Sequence, residues 1–152
     1  FEIPSVQGDF LDVGCGYGPI GLSISKSTNR IVHMVDVNLR ALELCKENAR
    51  INGINNVVIY ESDCFSNVEK TDFSAILTNP PIRAGKKVVH AIFEGSYNHL
   101  KEGGELWVVI QKKQGAPSAT KKIESLFGNV EIVIKKKGYY ILKAVKKSTS
   151  NT

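Results

Sequence analysis

The densest set of chemistry-bearing residues in the chain is Asp12-Val-Gly14-Cys15-Gly16-Tyr-Gly18. Glycines lack a Cβ and accept positive φ, so this spacing lets the backbone turn tightly and come close to a ligand. Asp36 follows downstream, where a carboxylate ending the next strand can accept hydrogen bonds from both hydroxyls of a ribose. Together these residues describe a nucleoside pocket. Gly16-Tyr-Gly18-Pro-Ile-Gly21 also satisfies the dinucleotide pattern GxGxxG, so a nicotinamide-dependent oxidoreductase stays open on glycines alone. Asp12 weighs against a diphosphate, which it would repel. It suits the ammonium of an amino-acid moiety, directly or through water, although the same carboxylate could instead cap its own loop.

A second constellation is Asn79-Pro80-Pro81-Ile82. Two prolines fix the backbone and remove two amide donors, leaving an Asn amide oxygen and a proline carbonyl as a rigid acceptor pair. An exocyclic amine carries two N–H donors, and holding both would aim its nitrogen lone pair at an electrophile. A plain Asn-Pro turn after a strand is the simpler alternative. His33, His90 and His99 lie outside both motifs and read as core or surface residues. Cys15, Cys45 and Cys64 are an odd set at wide spacing without a CxxC pair. Neither a disulfide framework nor a metal site is expected, and a reducing, cytoplasmic setting fits.

The elements that must position these residues alternate along the chain. Strands are predicted over 10–13, 31–36, 57–60, 74–77 and 105–110, with helices over 18–26, 38–52, 86–100 and 118–127. Asn38 is the expected N-cap of the second helix and Asn52-Gly53 its stop. Gly103-Gly104 is expected to end the third helix. Runs over 130–134 and 139–145, separated by a Lys-rich turn containing Gly138, read as an antiparallel hairpin. The expected fold class is therefore α/β: a doubly wound, mostly parallel seven-stranded sheet with a C-terminal antiparallel hairpin. One domain over 1–147 is expected, followed by a disordered tail at 148–152. The chain opens at Phe1 and its only methionine is Met34, so a native N-terminal segment is expected to be missing.

The chain's 152 residues, 42% of them hydrophobic and 23% charged, can bury a core and argue against disorder. No run approaches the roughly 18 apolar residues of a membrane span, and no leader pattern is visible, so a soluble protein is expected. The net charge of +5 is unevenly distributed. Residues 1–100 hold 9 Lys/Arg against 11 Asp/Glu, whereas residues 101–152 hold 11 Lys against 4 Glu. Lys135-Lys136-Lys137, with the pairs Lys112-Lys113, Lys121-Lys122 and Lys146-Lys147, could attract a phosphate backbone through counterion release, or could be a solvated face.

As a set, the glycine loop, Asp36, Asp63-Cys64-Phe65 and Asn79-Pro-Pro-Ile82 resemble the ordered motifs of the Rossmann-like S-adenosylmethionine-dependent methyltransferases. Asn79-Pro-Pro-Ile-Arg-Ala-Gly-Lys86 and the Lys137-Gly-Tyr-Tyr140 region are similar to the small-domain ribosomal RNA (guanine-N2) methyltransferases. The resemblance covers residues 10–147. It implies S-adenosylmethionine as cofactor, S-adenosylhomocysteine as product, and no metal. Asp12, Gly14, Cys15, Gly16 and Gly18 would then contact the methionine end of the cofactor, Asp36 with Val37 the ribose side, and Asp63, Cys64 and Phe65 the adenine. Asn79 and the Pro80 carbonyl would hold the target amine, with Pro81 and Ile82 completing the motif.

The acceptor implied is guanine N2 of small-subunit ribosomal RNA. Adenine N6, a protein glutamine amide, and a non-catalytic cofactor- or RNA-binding module are alternatives. Many amino-methylating relatives carry an aromatic residue where this chain has Ile82, so stacking on the base would come from elsewhere, Phe93, Tyr139 and the missing N-terminal segment being candidates. Arg83, Lys86, Lys87, Lys112 and Lys113 are candidates for gripping phosphates beside an exposed base.

Overall fold

The computed structural model describes residues 1–111 and 115–147. Lys112, Lys113 and the tail at 148–152, singled out above, lie outside the described residues. The elements are β1 (Phe10–Val13), α1 (Pro19–Ser25), β2 (Val32–Asp36), α2 (Leu39–Ile51), β3 (Val57–Glu61), β4 (Phe73–Thr78), α3 (Lys86–His99), β5 (Leu100–Gln111), α4 (Ala116–Phe127), β6 (Glu131–Lys136) and β7 (Tyr139–Val145).

The seven strands form one sheet in the order β3-β2-β1-β4-β5-β7-β6. The first five run parallel, and β7 is antiparallel to both β5 and β6. Both faces are covered, and this explains the near-continuous apolar runs of β1 and β4, which are buried at every position. One face packs Leu42, Cys45 and Ala49 of α2 and Leu22 of α1 against Phe10, Met34 and Trp107. On the other face, Val89, Ile92 and Phe93 of α3 and Ala119, Ile123 and Phe127 of α4 cover Leu11, Ile76, Leu106 and Leu142.

The helix termini follow local chemistry. The Asn38 side chain accepts from the Ala41 amide at 3.1 Å and starts α2. Gly53, at φ 65°, turns the chain out of it, and the Ile54 amide returns to the Ala49 carbonyl. Strand order reverses between β1 and β4, so their carboxyl ends splay apart into the crevice where ligands of such sheets bind.

Three expectations need correction. Ile31 is 44% exposed and precedes β2 rather than opening it. Lys135 and Lys136 belong to β6, and only Lys137-Gly138 forms the turn, with Gly138 at φ 98°. Gly103-Gly104 does not end α3. That helix ends at His99 and passes straight into β5, and the glycine pair sits in a bulge between the Phe73–Leu100 and Ala75–Glu105 pairings. A Cβ on Gly104 would lie 2.9 Å from the Phe73 and Lys101 carbonyl oxygens, so close backbone approach explains the glycine. The α3 terminus is satisfied instead by Lys146, whose ammonium donates to the Tyr97 and Leu100 carbonyls at 2.9 Å each and lies over the Tyr97 ring.

Candidate active site at the carboxyl edge of the sheet

A cavity of about 300 Å³ opens at the switch point, lined by Val13, Gly14, Asp36, Val37, Ser62, Asp63, Cys64, Asn79, Pro81, Val88 and Ile92. The ends of β1, β2, β3 and β4 and the first turns of α3 therefore meet around one space. Aliphatic side chains form its walls, and Asp36, Asp63 and Asn79 are its polar groups. The apolar walls raise the strength of any hydrogen bond made inside.

Asp36 organises this edge. Its Oδ2 accepts from the Gly16 amide at 2.8 Å and its Oδ1 from the Asn38 amide at 2.9 Å, which fixes the carboxylate between the glycine loop and the start of α2. Each oxygen retains a second lone pair for a ligand. Asp63 sits in the turn after β3. Its amide donates to Ser66 Oγ, while among the described residues no hydrogen bond engages its carboxylate. The neighbouring Cys64 holds φ 51°, rare for a residue with a Cβ, and Ser62 Oγ fastens the strained turn by donating to the Cys64 carbonyl at 2.8 Å. Burial, with Asp63 nearby, pushes the Cys64 thiol up.

Asp12 is 3% exposed and lies beneath the loop, outside the cavity lining. Its Oδ2 accepts from the Gly21 amide at 3.1 Å. Burial pushes its carboxyl up to about 7, against the pull of the Gly21 amide and with a small push from Asp36. The three glycine amides of the GxGxxG pattern are thus all engaged: Gly16 by Asp36, Gly18 by the Cys15 carbonyl at 3.0 Å, and Gly21 by Asp12. A pyrophosphate would have to displace two carboxylates to use them, so the arrangement disfavours a dinucleotide. Cys15 faces inward to Cys45, whose thiol raises that of Cys15, and Gly18 has no room for a Cβ beside the Cys45 sulfur. All three cysteines are free.

The acceptor motif leaves β4 at Thr78, whose Oγ1 donates to the Val13 carbonyl at 3.2 Å and ties β4 to β1. Beyond it the Pro81 carbonyl accepts from the Ala84 amide, opening the short 3₁₀ turn Ile82–Ala84. Among the described residues, neither the Asn79 amide nor the Pro80 carbonyl has a hydrogen-bond partner. Asn79 is exposed and lines the cavity, whereas Pro80 is buried and is not among the lining residues.

Other predicted residues point elsewhere. Phe65 stacks on His99 at 4.5 Å and fills the space over Gly95, so it belongs to the α3 packing rather than the cavity. Ile82 packs toward Gly115 at the start of α4. Phe93 is fully buried and cannot stack on a base, whereas Tyr139 is 37% exposed. Arg83, Lys86 and Lys87 are exposed at the start of α3, which has no side-chain cap and no acidic residue in its first turn. His33 bridges Tyr60 and Asp9, a packing role. Ser62, Val88 and Ile92 were not singled out from sequence. The helix periodicity buries Ile92 but carries no sign that a ligand space adjoins it.

Residues 2–143 match the family model of the methyltransferase small domain. The chain is 67% identical over 148 residues to the uncharacterized protein YbxB of Bacillus subtilis (strain 168), covering 96% of this chain and 74% of that protein. It is 38% identical over 113 residues to ribosomal RNA small subunit methyltransferase C of Aeromonas hydrophila subsp. hydrophila, covering 71% of this chain. The match spans about a third, 32%, of that longer enzyme. Among solved structures, the T. thermophilus 16S rRNA N2 G1207 methyltransferase in complex with AdoMet and guanosine shares the fold. Its TM-score is 0.82 at 24% identity, over 92% of this chain and 38% of that one.

Proposed function

The chain belongs to the methyltransferase small domain family, and from that premise we propose that it methylates an exocyclic amine of RNA with S-adenosylmethionine, the acceptor being guanine N2 of small-subunit ribosomal RNA. The observation that carries this reading is the unengaged Asn79 amide oxygen, lining a cavity whose Asp36 and Asp63 carboxylates have acceptor capacity to spare, with the unpartnered Pro80 carbonyl next along the chain. The relatives named for ribosomal RNA methylation support the substrate class. A reducing cytoplasm is the setting in which its three free cysteines persist.

The residues present fit the cofactor. Asp36 would accept from the ribose hydroxyls, Asp63 from the adenine amino group, and Val37, Cys64, Val88 and Ile92 would border the ring. Gly14 and the adjoining loop would face the methionine end, with Asp12 as a positioning residue under that loop. Bound S-adenosylmethionine supplies a methyl group already activated by its sulfonium, so the protein's task is alignment and exclusion of water. Asn79 and Pro80 hold both hydrogens of the amine and turn its lone pair toward the cavity. As the nitrogen gives up electron density its hydrogens become more acidic, so these two oxygens bind them more tightly in the transition state than before it. Among the described residues none of His33, His90 and His99 lines the cavity.

Calorimetric titration with S-adenosylmethionine and, in parallel, with oxidised and reduced nicotinamide dinucleotides tests the reading. S-adenosylmethionine alone is expected to bind. Asp36→Ala should weaken that binding by about tenfold or more, the value of a hydrogen bond to a charged group. Asn79→Ala should leave it within severalfold while lowering turnover by roughly a hundredfold, as for other single groups that act on the transition state. Near-normal turnover of Asn79→Ala on a methylatable RNA would overturn the acceptor-pair mechanism, and selective binding of a nicotinamide would overturn the family reading of the cavity.

A further inference from the structure

The β6–β7 hairpin overhangs the site. Thr78 at the end of β4 pairs with Val108, and Val108 with Leu142, so these residues mark one row across the sheet. Past that row β4 has left the sheet, but β5 continues to Gln111, paired with Tyr139, and β6 continues to Lys136, also paired with Tyr139. Three residues of strand carry the hairpin about 10 Å beyond the row, two strand spacings to the side of Asn79. The tip is Lys136-Lys137-Gly138-Tyr139, exposed throughout. Just below it the Lys135 ammonium lies 5.6 Å from the centroid of the Tyr140 ring.

The charge around the tip is one-signed. Among the described residues no acidic residue occurs in 79–93, 108–111, 115–123 or 132–142, which hold the segment after β4, the end of β5, the start of α4 and the hairpin tip. The carboxylates of the edge, Asp36, Glu61 and Asp63, all lie on the cofactor side, toward β2 and β3. Among the described residues no salt bridge engages Lys135, Lys136 or Lys137, whereas Lys122 and Lys143, farther down, are paired with Glu94 and Glu105. The two-residue turn Lys137-Gly138 holds these cations at the end of a paired hairpin.

We propose that this hairpin tip is the second RNA contact of the site. Lys136 and Lys137 would hold backbone phosphates of the strand that leads away from the target nucleotide, and the Tyr139 ring would stack on one of its unpaired bases. The inference rests on the RNA substrate proposed above. It supplies an aromatic face where Ile82 has turned into the core, and it runs the strand from Asn79 across the ends of β5 and β7. Phosphate contacts set position, and a stacked base adds affinity without sequence preference.

The test uses the 152-residue chain and a fluorescein-labelled single-stranded RNA 20-mer of mixed sequence, titrated between 50 and 200 mM salt. Two hairpin variants, Lys136→Ala/Lys137→Ala and Tyr139→Thr, are compared with wild type and with Lys86→Ala/Lys87→Ala at α3. Each protein is first checked for wild-type melting temperature and S-adenosylmethionine affinity. The lysine variant is expected to bind RNA at least fivefold more weakly and to lower the slope of log affinity on log salt by about 1.4, two phosphates at about 0.7 each. Tyr139→Thr is expected to lose five- to a hundredfold with the slope unchanged. If both hairpin variants bind like wild type while the α3 variant is weakened, the hairpin inference fails and the RNA reading stands. If wild type itself binds no RNA at 50 mM salt, the RNA substrate falls and the hairpin role with it.

Discussion

Asp12 carries the most strongly perturbed carboxyl of the described residues, and its position makes the perturbation measurable. In the unfolded chain it titrates near 3.8, and in the folded protein burial pushes it up to about 7. Between those values the folded state holds a proton that the unfolded state has lost. The stability this residue contributes is therefore full below about pH 4, declines as pH rises, and levels off above about pH 7. Asp12→Asn keeps an oxygen for the Gly21 amide and removes the titration. Urea unfolding at pH 5 and pH 8 should show the variant gaining on wild type at the higher pH, by on the order of 1–3 kcal/mol. An equal difference at the two pH values would refute this. That Asp36, Asp63 and Asn79 line one cavity was legible in the sequence because each follows a strand at the sheet's carboxyl edge, where such sheets open a crevice. Phe65 and Ile82 were not, since an apolar side chain serves a ligand wall or a core equally well and only packing chooses.

At the scale of elements, the α3–β5 junction shows what periodicity misses. A glycine pair after a helical pattern signals a helix stop, yet here the stop comes from 46 residues away, through Lys146 on the Leu100 carbonyl. Strand and helix identities came from local pattern and the doubly wound class from their alternation, whereas the strand order is known from the structure alone. The cap did not, because it depends on β7 returning beside β5. Lys146→Met keeps the aliphatic stem and removes both hydrogen bonds and the ring contact. It should cost about 1–3 kcal/mol, as expected for hydrogen bonds from a charged donor, and lower the melting temperature by roughly 3–8 °C for a domain of this size. Because the α3 terminus faces away from the cavity, cofactor affinity measured in the same variant should stay within twofold. A melting temperature equal to wild type would mean that the orphan carbonyls are satisfied by water at no loss.

For the whole molecule, the doubly wound sheet separates two kinds of chemistry along one edge. The glycine loop, Asp36 and Asp63 gather acidic groups at the ends of β1 to β3, and the start of α3 and the hairpin tip present the exposed cations Arg83, Lys86, Lys87, Lys136 and Lys137. In sequence the charge is also uneven, net −2 over residues 1–100 (9 Lys/Arg less 11 Asp/Glu) and net +7 over 101–152 (11 less 4). Part of the basic surplus, Lys135, Lys136 and Lys137, stands at the hairpin tip, while Lys143 pairs with Glu105 and Lys146 caps α3 away from the cavity. Salt should act on the two ligands differently. S-adenosylmethionine, held by short contacts inside a cavity, should change affinity by no more than about threefold between 50 and 200 mM salt, since contacts at that range are little screened. Single-stranded RNA meeting five cations, Arg83, Lys86, Lys87, Lys136 and Lys137, should follow a slope of about −3.5 and lose roughly a hundredfold over the same range. Paired titrations of one protein preparation make the comparison, and equal salt dependence for the two ligands would show that the charge separation does not divide the binding labour. The expected contrast follows from exposure, because Arg83, Lys86, Lys87, Lys136 and Lys137 stand in solvent, whereas Asp36 and Asp63 border the cavity.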